Sequence, residues 1–349
     1  MEIAFDPAPR QLDVVLSPAW LSAMLSTRWP ETKVLKVTVV ETLVTQATKV
    51  RLSLELEGQH ENIPRHICIK GVLSETGAPG AASIIETQFY KDFAEQLPLR
   101  VPNCIYAEFN AAGDNGVIVM EDEIYAGSTF LTALKPLSPE EVRGSMEQLA
   151  LLHAETWEDR EFFSQAKIPR FLDRISEKPI MPIEVLQGMV NADKGALLPE
   201  EVKNAAALQR SLELYAKQVR ERPSCLVHGD AHAGNIYRKD GNYGLVDWQI
   251  LQKGEWAQDV AYHIASVLSP EDRRIHEREL LEYYLKRLKA LGGPELAADE
   301  AWTRYRAAMI YGYYLWAITQ KVEPAITNEF FRRLGLAVYE LNSFEAAGA

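Results

Sequence analysis

The sequence predicts an α+β chain, with a strand-rich first third and a mainly helical remainder. Between Val34 and Met120, β-branched or alternating apolar runs recur with turn residues between them, the period-two signature of strands. From Ser138 onward, apolar residues fall at helical spacing behind start signals such as Ser138-Pro139-Glu140-Glu141. Within the helical remainder a single stretch, Cys225 to Gln249, returns to strand, turn and strand around a polar loop.

Residues 1 to about 33 read as an extended leader with one short helix, begun by Ser17-Pro18 before Ala19-Trp20-Leu21. The opening MEIAFDPAPRQLDVVL is mixed and acidic, unlike a secretory signal. Val34 to Val44 and Val50 to Leu56 read as strands joined through Thr45 to Thr48. Arg65 to Leu73 is a third, alternating around Ile67, Ile69 and Lys70. Gly77 to Ala82 is a loop. A helix follows from Ser83 to about Gln96, with Ile84, Ile85, Phe89 and Phe93 on one face. Asn103 to Phe109 and Gly116 to Met120 form a hairpin around Ala111 to Asn115.

The Ser138-capped helix runs to about Trp157 with Met146, Leu149, Ala150 and His153 on its apolar face, where a histidine is far more often core than catalyst. Phe162 to Leu198 is weakly periodic. Helices are predicted from Pro199 to about Glu221, Asp259 to Leu268, Asp272 to Ala290, Ala297 to Lys321 and Thr327 to Phe344. The aromatic run Tyr305, Tyr311, Tyr313, Tyr314, Trp316 reads mostly as helix–helix packing.

A net charge of −12 over 349 residues disfavours nucleic acid and anionic membranes as partners. No apolar run approaches membrane-spanning length. Cys68, Cys104 and Cys225 are scattered and set in apolar runs, which reads as buried thiols in a reducing cytoplasm. Monomer and homodimer both stay open.

The chemistry concentrates in Cys225 to Gln249. A buried-type strand, Cys225-Leu226-Val227, leads into the loop His228 to Asn235. Ile236 to Arg238 and Tyr243 to Val246 flank a Lys239-Asp240-Gly241-Asn242 turn, a strong hairpin signal. The return strand delivers Asp247, so Asp230, Asn235 and Asp247 are expected to converge at one end of the hairpin. Three oxygen-bearing side chains suit a hard cation, Mg²⁺ above all. Read alone, His228-x-Asp230-x-His232 is also a metal-ligand spacing of hydrolases, but His60, His66, His153, His263 and His276 form no matching cluster.

The pattern H-G-D-x-H-x-x-N at His228 to Asn235, followed by Asp247-Trp248, resembles the catalytic centre of the kinase-like small-molecule phosphotransferases: the aminoglycoside phosphotransferase, choline kinase and ecdysteroid-kinase-like group. The resemblance implies a bilobal protein-kinase-like fold, a five-stranded antiparallel sheet with one main helix, hinged to a helical lobe. The segments are then 1–33, 34–122 and 123–349, the chain loosening at Gly127-Ser128. ATP and Mg²⁺ are its implied cofactors and a hydroxyl of a small molecule its implied acceptor. Asp230 would be the base, Asn235 and Asp247 the metal ligands, and His228 a buttress of the loop. His232 would order the loop or approach the phosphates.

Lys70 would hold the α- and β-phosphates and pair with Glu86, in the E-x-x-F-Y pattern before Phe89-Tyr90. The Thr45 to Thr48 turn, with the Thr48 hydroxyl, would cover the phosphates although it lacks G-x-G-x-x-G. Met120 and Glu121 would read adenine through their backbone. Asp259 would accept hydrogen bonds from the catalytic loop. No A-P-E segment follows Asp247, which disfavours a protein kinase. The Asp247-Trp248-Gln249 form and the Val260-Ala261-Tyr262-His263 run look most like the ecdysteroid-kinase-like set. A nucleotide-binding module without turnover is the rival within the fold. The acceptor is left open among aminoglycoside, choline-like base, sugar, sterol and acyl-linked alcohol. The resemblance also implies that C-terminal helices wall the acceptor site, where the aromatic run from Tyr305 to Trp316 would suit a sterol-like face, a sugar ring or a quaternary ammonium.

Overall fold

Alternation along β2 and β3 sorts apolar from charged side chains before any long-range contact forms. The computed structural model describes residues 5–44, 47–57, 62–74, 80–158 and 168–349. Thr45-Gln46, His60, Gly77 to Pro79 and the first residues of the 162–198 stretch lie outside the described residues. Contacts divide the chain into two units, Met1–Leu97 with Val101–Thr129 and Asp247–Gln249, and Pro98–Arg100 with Phe130–Val246 and Ile250–Ala349.

The first unit contains α1 (Leu12–Val15), α2 (Pro18–Ser26), β1 (Lys33–Val44), β2 (Thr48–Glu57), β3 (His66–Gly71), α3 (Ala81–Gln88), β4 (Cys104–Phe109) and β5 (Gly116–Glu121). The five strands form one antiparallel sheet in the order β1-β2-β3-β5-β4. Val50, Leu52, Ile67, Ile69, Val117 and Val119 are fully buried together with Leu21 and Leu25 of α2. Each such side chain stabilises the fold by ~1.5–3 kcal/mol. The Ser17 hydroxyl caps α2 by accepting the Trp20 N–H at 3.1 Å. The alternate positions of β2 and β3 turn to the opposite face, and Lys49 stands directly across from Lys70.

The helix predicted from Ser83 to Gln96 is α-helical only to Gln88. Phe89–Phe93 is a π turn, with the Ala94 N–H reaching back to the Phe89 carbonyl at 2.9 Å. The wider turn accompanies a stack of Phe89 on Trp248, centroids 3.8 Å apart. Apolar spacing does not separate a wider turn from a 3.6-residue one, whereas this stack does.

The short β6 (Thr129–Phe130) falls at the boundary of the units, and in the second unit α4 (Pro139–Glu155) starts with a full capping box between Ser138 and Glu141. Then come α5 (Phe171–Glu177), α6 (Ile183–Val190), α7 (Ala205–Arg220), β7 (Cys225–Val227), β8 (Ile236–Lys239), β9 (Asn242–Leu245) and β10 (Gln252–Gly254). The chain ends with α8 (Trp256–Val267), α9 (Pro270–Ala290), α10 (Ala298–Ile318), α11 (Pro324–Glu340) and α12 (Ser343–Ala346). Asp240 and Gly241 both have positive φ, 51° and 77°, the geometry of a two-residue hairpin loop between β8 and β9.

Several helix starts differ from expectation, α11 beginning at Pro324 rather than Thr327 and α3 at Ala81 rather than Ser83. Glu200–Val202 is a separate 3₁₀ turn, and α7 begins at Ala205 because the Asn204 side chain accepts the Ala207 N–H. α9 starts at Pro270 behind a Ser269 cap. α8 starts at Trp256, which puts Asp259 inside its first turn. Every residue of α8 is buried, and it packs chiefly on α10. Among the described residues no helix is long and apolar enough to cross a membrane. The three cysteines are free thiols.

Gly116 sets the closeness of β5 and α3. A Cβ there would lie 2.1 Å from Thr87 Oγ1, and Thr87 is fully buried. Gly116→Ala is therefore expected to destabilise the protein by ~1–3 kcal/mol, with the double variant Gly116→Ala/Thr87→Ala recovering some of the loss. Urea denaturation of the three proteins checks this, and an unchanged midpoint for the single variant would contradict it.

Candidate active site

The polar loop leaves β7 at Val227 and is gripped at once. The Asp259 carboxylate, fully buried, accepts the His228 N–H at 2.6 Å and the Gly229 N–H at 2.8 Å. Two N–H bonds to one charged acceptor are strong and short, and they fix the start of the loop to α8. His153 Nε2 lies 3.2 Å from the same carboxylate, while its Nδ1 meets the Tyr284 hydroxyl at 2.7 Å. His153 is thus a core histidine that braces Asp259. Gly229 has φ +80°, and a Cβ on it would come within 2.5 Å of the Ile250 carbonyl, so the turn requires glycine.

His228 orders the loop with both ring nitrogens. Nδ1 accepts the Asp230 N–H at 3.2 Å, so Nε2 carries the hydrogen and donates to the Val246 carbonyl at 3.0 Å. Asn235 Nδ2 donates to the Asp230 carbonyl at 2.9 Å and to Asp230 Oδ2 at 3.2 Å. The Tyr262 hydroxyl donates to Asp230 Oδ1 at 3.0 Å. Asp230 is thereby held at both oxygens, yet its side chain keeps 30% of its exposure and stays reachable. The Asn235 carbonyl accepts the Val246 N–H at 3.0 Å, and the next residue in the chain is Asp247. His232 Nδ1 accepts the Gly234 N–H at 3.0 Å and so caps the short turn to Asn235.

In the first unit, Lys70 Nζ lies 2.6 Å from Glu86 Oε2 and 3.0 Å from Asp247 Oδ1. Lys49 Nζ lies 3.1 Å from Asp247 Oδ2. Lys70 and Glu86 are almost without exposure. Burial by itself would raise the Asp247 carboxyl. The Lys70 and then the Lys49 ammonium outweigh it and hold the group well below the usual carboxylate range. At Glu86 burial wins over the attraction of Lys70, and the carboxyl is pushed up. Asp247 has φ +69°, a left-handed backbone that costs a non-glycine residue ~1–3 kcal/mol. Its neighbours over-determine it: two ammonium groups hold the carboxylate, the Trp248 N–H donates to Glu86 Oε1 at 3.2 Å, and the indole stacks on Phe89.

The structure thus groups Asp230, Asn235, His228 and Asp259 in one unit, and Lys70, Glu86 and Asp247 in the other. Thr48 is buried at the start of β2, opposite Gly71. Met120 and Glu121 lie in β5, where the Glu121 N–H donates to the Asn103 carbonyl and the Asp122 N–H to the His66 carbonyl, at 3.0 and 3.1 Å. The backbone donor of Glu121, expected to read adenine, is committed inside the sheet, because β5 continues one residue beyond Met120. Asp122 accepts Arg51 Nε and the N–H groups of Ile124 and Tyr125, which makes it a turn anchor.

Sequence reasoning singled out neither Lys49, now beside Asp247, nor Tyr262, now beside Asp230, and weighed Trp316 only as one of the aromatic run. Lys49 is visible only once the β2–β3 register is known. Tyr262 stands three residues after Asp259, one helical turn along the same face, a spacing that does signal it. For the hydrolase spacing His228 offers no ring nitrogen, both being turned to backbone groups. Among the described residues no three His, Cys, Asp or Glu side chains are grouped to hold a metal. Each unit offers an oxygen donor of the kind a hard cation takes: in the first the Asp247 carboxylate is gathered around positive charge, and in the second the Asn235 amide has Nδ2 committed to Asp230, leaving Oδ1 as its acceptor.

His263 ties the loop to α8 from the other side, with Nδ1 donating to the Ala231 carbonyl at 2.9 Å and Nε2 2.8 Å from Ser145 Oγ. Burial pushes this imidazole down to about 4. Below pH ~6.5 the unfolded chain takes up a proton here that the folded protein refuses, so stability is lost as pH falls from ~6.5 towards 4, by up to ~3 kcal/mol. In thermal melts between pH 7 and 4.5, His263→Asn is expected to lose less stability with acid than the unaltered protein. Parallel curves would contradict the assignment.

The sequence profile of the ecdysteroid kinase-like family matches residues 86–292, more than half of the chain. A curated Caenorhabditis elegans protein named uncharacterized oxidoreductase dhs-27 is 24% identical over 231 residues, 59% of this chain and 26% of that protein, so the chain spans about a quarter of this relative. Among solved structures, Plasmodium vivax ethanolamine kinase superposes with a TM-score of 0.53 at 13% identity, covering 88% of this chain and 81% of that one. A microcompartment-associated aminopropanol kinase gives 0.52 at 13%, covering 90% and 94%. At such identity the likeness is one of fold, and the antiparallel sheet of the first unit and the helices of the second have the architecture of the protein-kinase-like fold. By its sequence, this chain belongs to the ecdysteroid kinase-like family.

Proposed function

We propose that the protein transfers the γ-phosphate of ATP to a hydroxyl group of a small molecule, with Asp230 as the base. The observation that carries this reading is the state of Asp230: a reachable carboxylate held at both oxygens by neutral donors, Tyr262 and Asn235, on a loop anchored by Asp259. A carboxylate so held can accept a hydrogen bond from an incoming hydroxyl, align its oxygen and take its proton as the new O–P bond forms and the bond from the γ-phosphorus to the β–γ bridging oxygen breaks, ADP leaving with that oxygen.

Lys70, steadied by Glu86, supplies positive charge for the α- and β-phosphates. Asp247 and Asn235 Oδ1 would hold magnesium, which would supply positive charge to neutralise the triphosphate. Asp247 already balances two ammonium groups, so the charge it gathers suits a polyanion with its metal. The solved structures named for ethanolamine and aminopropanol kinases and the family's own name all point to alcohols as the acceptor class. Free thiols and the acidic balance support a cytoplasmic enzyme without nucleic-acid or membrane partners.

The test is an ADP-release assay with ATP and magnesium, over ethanolamine, 1-amino-2-propanol, choline, kanamycin and an ecdysteroid. Turnover on an alcohol supports the reading; tight nucleotide binding without turnover on any of them would leave a binding module. Asp230→Asn is expected to lower kcat by ~10²–10⁴ with the Kd for Mg-ATP unchanged. Asp247→Ala is expected to weaken Mg-ATP binding at least about tenfold in calorimetry, and unchanged affinity would remove it from the metal site.

A further inference from the structure

We infer that Tyr262 and Trp316 form a directional hydrogen-bond relay that sets the rotation of the Asp230 carboxylate, making Tyr262 a positioning residue for phosphoryl transfer. This inference rests on the reading of Asp230 as the base. Trp316 Nε1 lies 2.6 Å from the Tyr262 hydroxyl, which lies 3.0 Å from Asp230 Oδ1. An indole N–H can only donate. The tyrosine oxygen therefore accepts from Trp316, and its single hydrogen is directed at Asp230. On the other oxygen, Asn235 Nδ2 sits at 3.2 Å and His232 Nε2 at 3.6 Å. With one donor fixed on each side, the carboxylate plane cannot turn freely, and its remaining lone pairs keep one direction.

Each member of the relay is itself held. Tyr262 is fully buried in α8, and its ring lies so close to α10 that a Cβ on Gly312 would come within 2.6 Å of Tyr262 Cδ2. Only glycine leaves that space. Trp316 is 4% exposed and packs on Phe330 at 4.3 Å between centroids. Its end of α10 is anchored by the Lys194 ammonium, which donates to the Trp316 and Ala317 carbonyls at 3.0 and 2.5 Å, at the helix terminus where a cation is favoured. A second relay of the same sense runs alongside, with Gln252 Nε2 donating to the Tyr311 hydroxyl and that hydroxyl to the Gly229 carbonyl, both at 2.9 Å. Two hydroxyls thus tie the aromatic run of α10 and α8 to consecutive residues of the loop, Gly229 and Asp230.

The relay makes a prediction that simple packing does not. Tyr262→Phe removes one oxygen and keeps the ring, so the fold and the nucleotide site are retained while Asp230 loses its fixed donor. The experiment measures steady-state ADP release from Mg-ATP with water as the acceptor, for the unaltered protein, Asp230→Asn, Tyr262→Phe and Trp316→Phe. The expected result is a fall in kcat of about tenfold for Tyr262→Phe and about threefold for Trp316→Phe, with the KM for ATP unchanged in both. Unchanged kcat in Tyr262→Phe, where Asp230→Asn has lost turnover, would overturn the relay and leave the reading of Asp230 intact. A fall in kcat matched by an equal rise in KM would also overturn it, as general loosening of the fold. If Tyr262→Phe does not fold, Trp316→Phe decides by the same criterion. Equal turnover in Asp230→Asn and the unaltered protein, or no turnover in either, would instead remove the base, and the relay with it.

Discussion

A single buried carboxylate, Asp259, is the constraint on which the loop depends. Two consecutive backbone N–H groups, of His228 and Gly229, point at it, and at a residue with no exposure water cannot substitute for them. A charge in that position is costly unless it is fully bonded, so the loop and α8 stabilise each other or neither is stable. His153 and Tyr284 extend the same network behind Asp259, and the His228 ring ties the loop separately to the Asp230 N–H and the Val246 carbonyl. The reachable carboxylate of Asp230 is a consequence. It sits where the loop has already been fixed on both sides.

Asp247 shows the opposite arrangement. Its backbone is strained and its carboxylate is crowded by two lysines, one from each of two neighbouring strands. Nothing in the folding of a short turn calls for a left-handed aspartate there. The strain persists because Lys70, Lys49, Glu86 and the stacked Trp248 over-determine it, as positions that serve a reaction commonly are. Glu86 joins the two features: it holds the Lys70 ammonium and takes the Trp248 N–H on the same carboxylate. The π turn after α3 belongs to this cluster, since it places Phe89 flat on the indole.

The aromatic run of α10 carries more than packing. Tyr311 sends its hydroxyl to the loop and Trp316 its indole N–H to the Tyr262 hydroxyl, while both rings are buried. Aromatic residues suit this double task because a large rigid ring fixes the position of a single donor at small conformational cost.

What the sequence determined alone was local. Strand alternation around Lys70, the Asp240-Gly241 turn, the Ser17 and Ser138 caps and the spacing from His228 to Asn235 are written in neighbouring residues, because φ preferences and side-chain periodicity act over a few positions. The pair Lys70–Glu86 was legible through a short pattern, and Asp259 through its place after the hairpin. The start of α7 was misplaced because Asn204, a weaker-looking cap than Pro199-Glu200, wins the terminal N–H group. Tertiary structure alone decided the role of Lys49, the closure of the Glu121 N–H into the sheet, the π turn at Phe89 and the relay from Trp316 to Asp230. Each depends on which distant atom completes a hydrogen bond, and that is fixed by strand register and helix packing, which residue spacing along the chain does not contain.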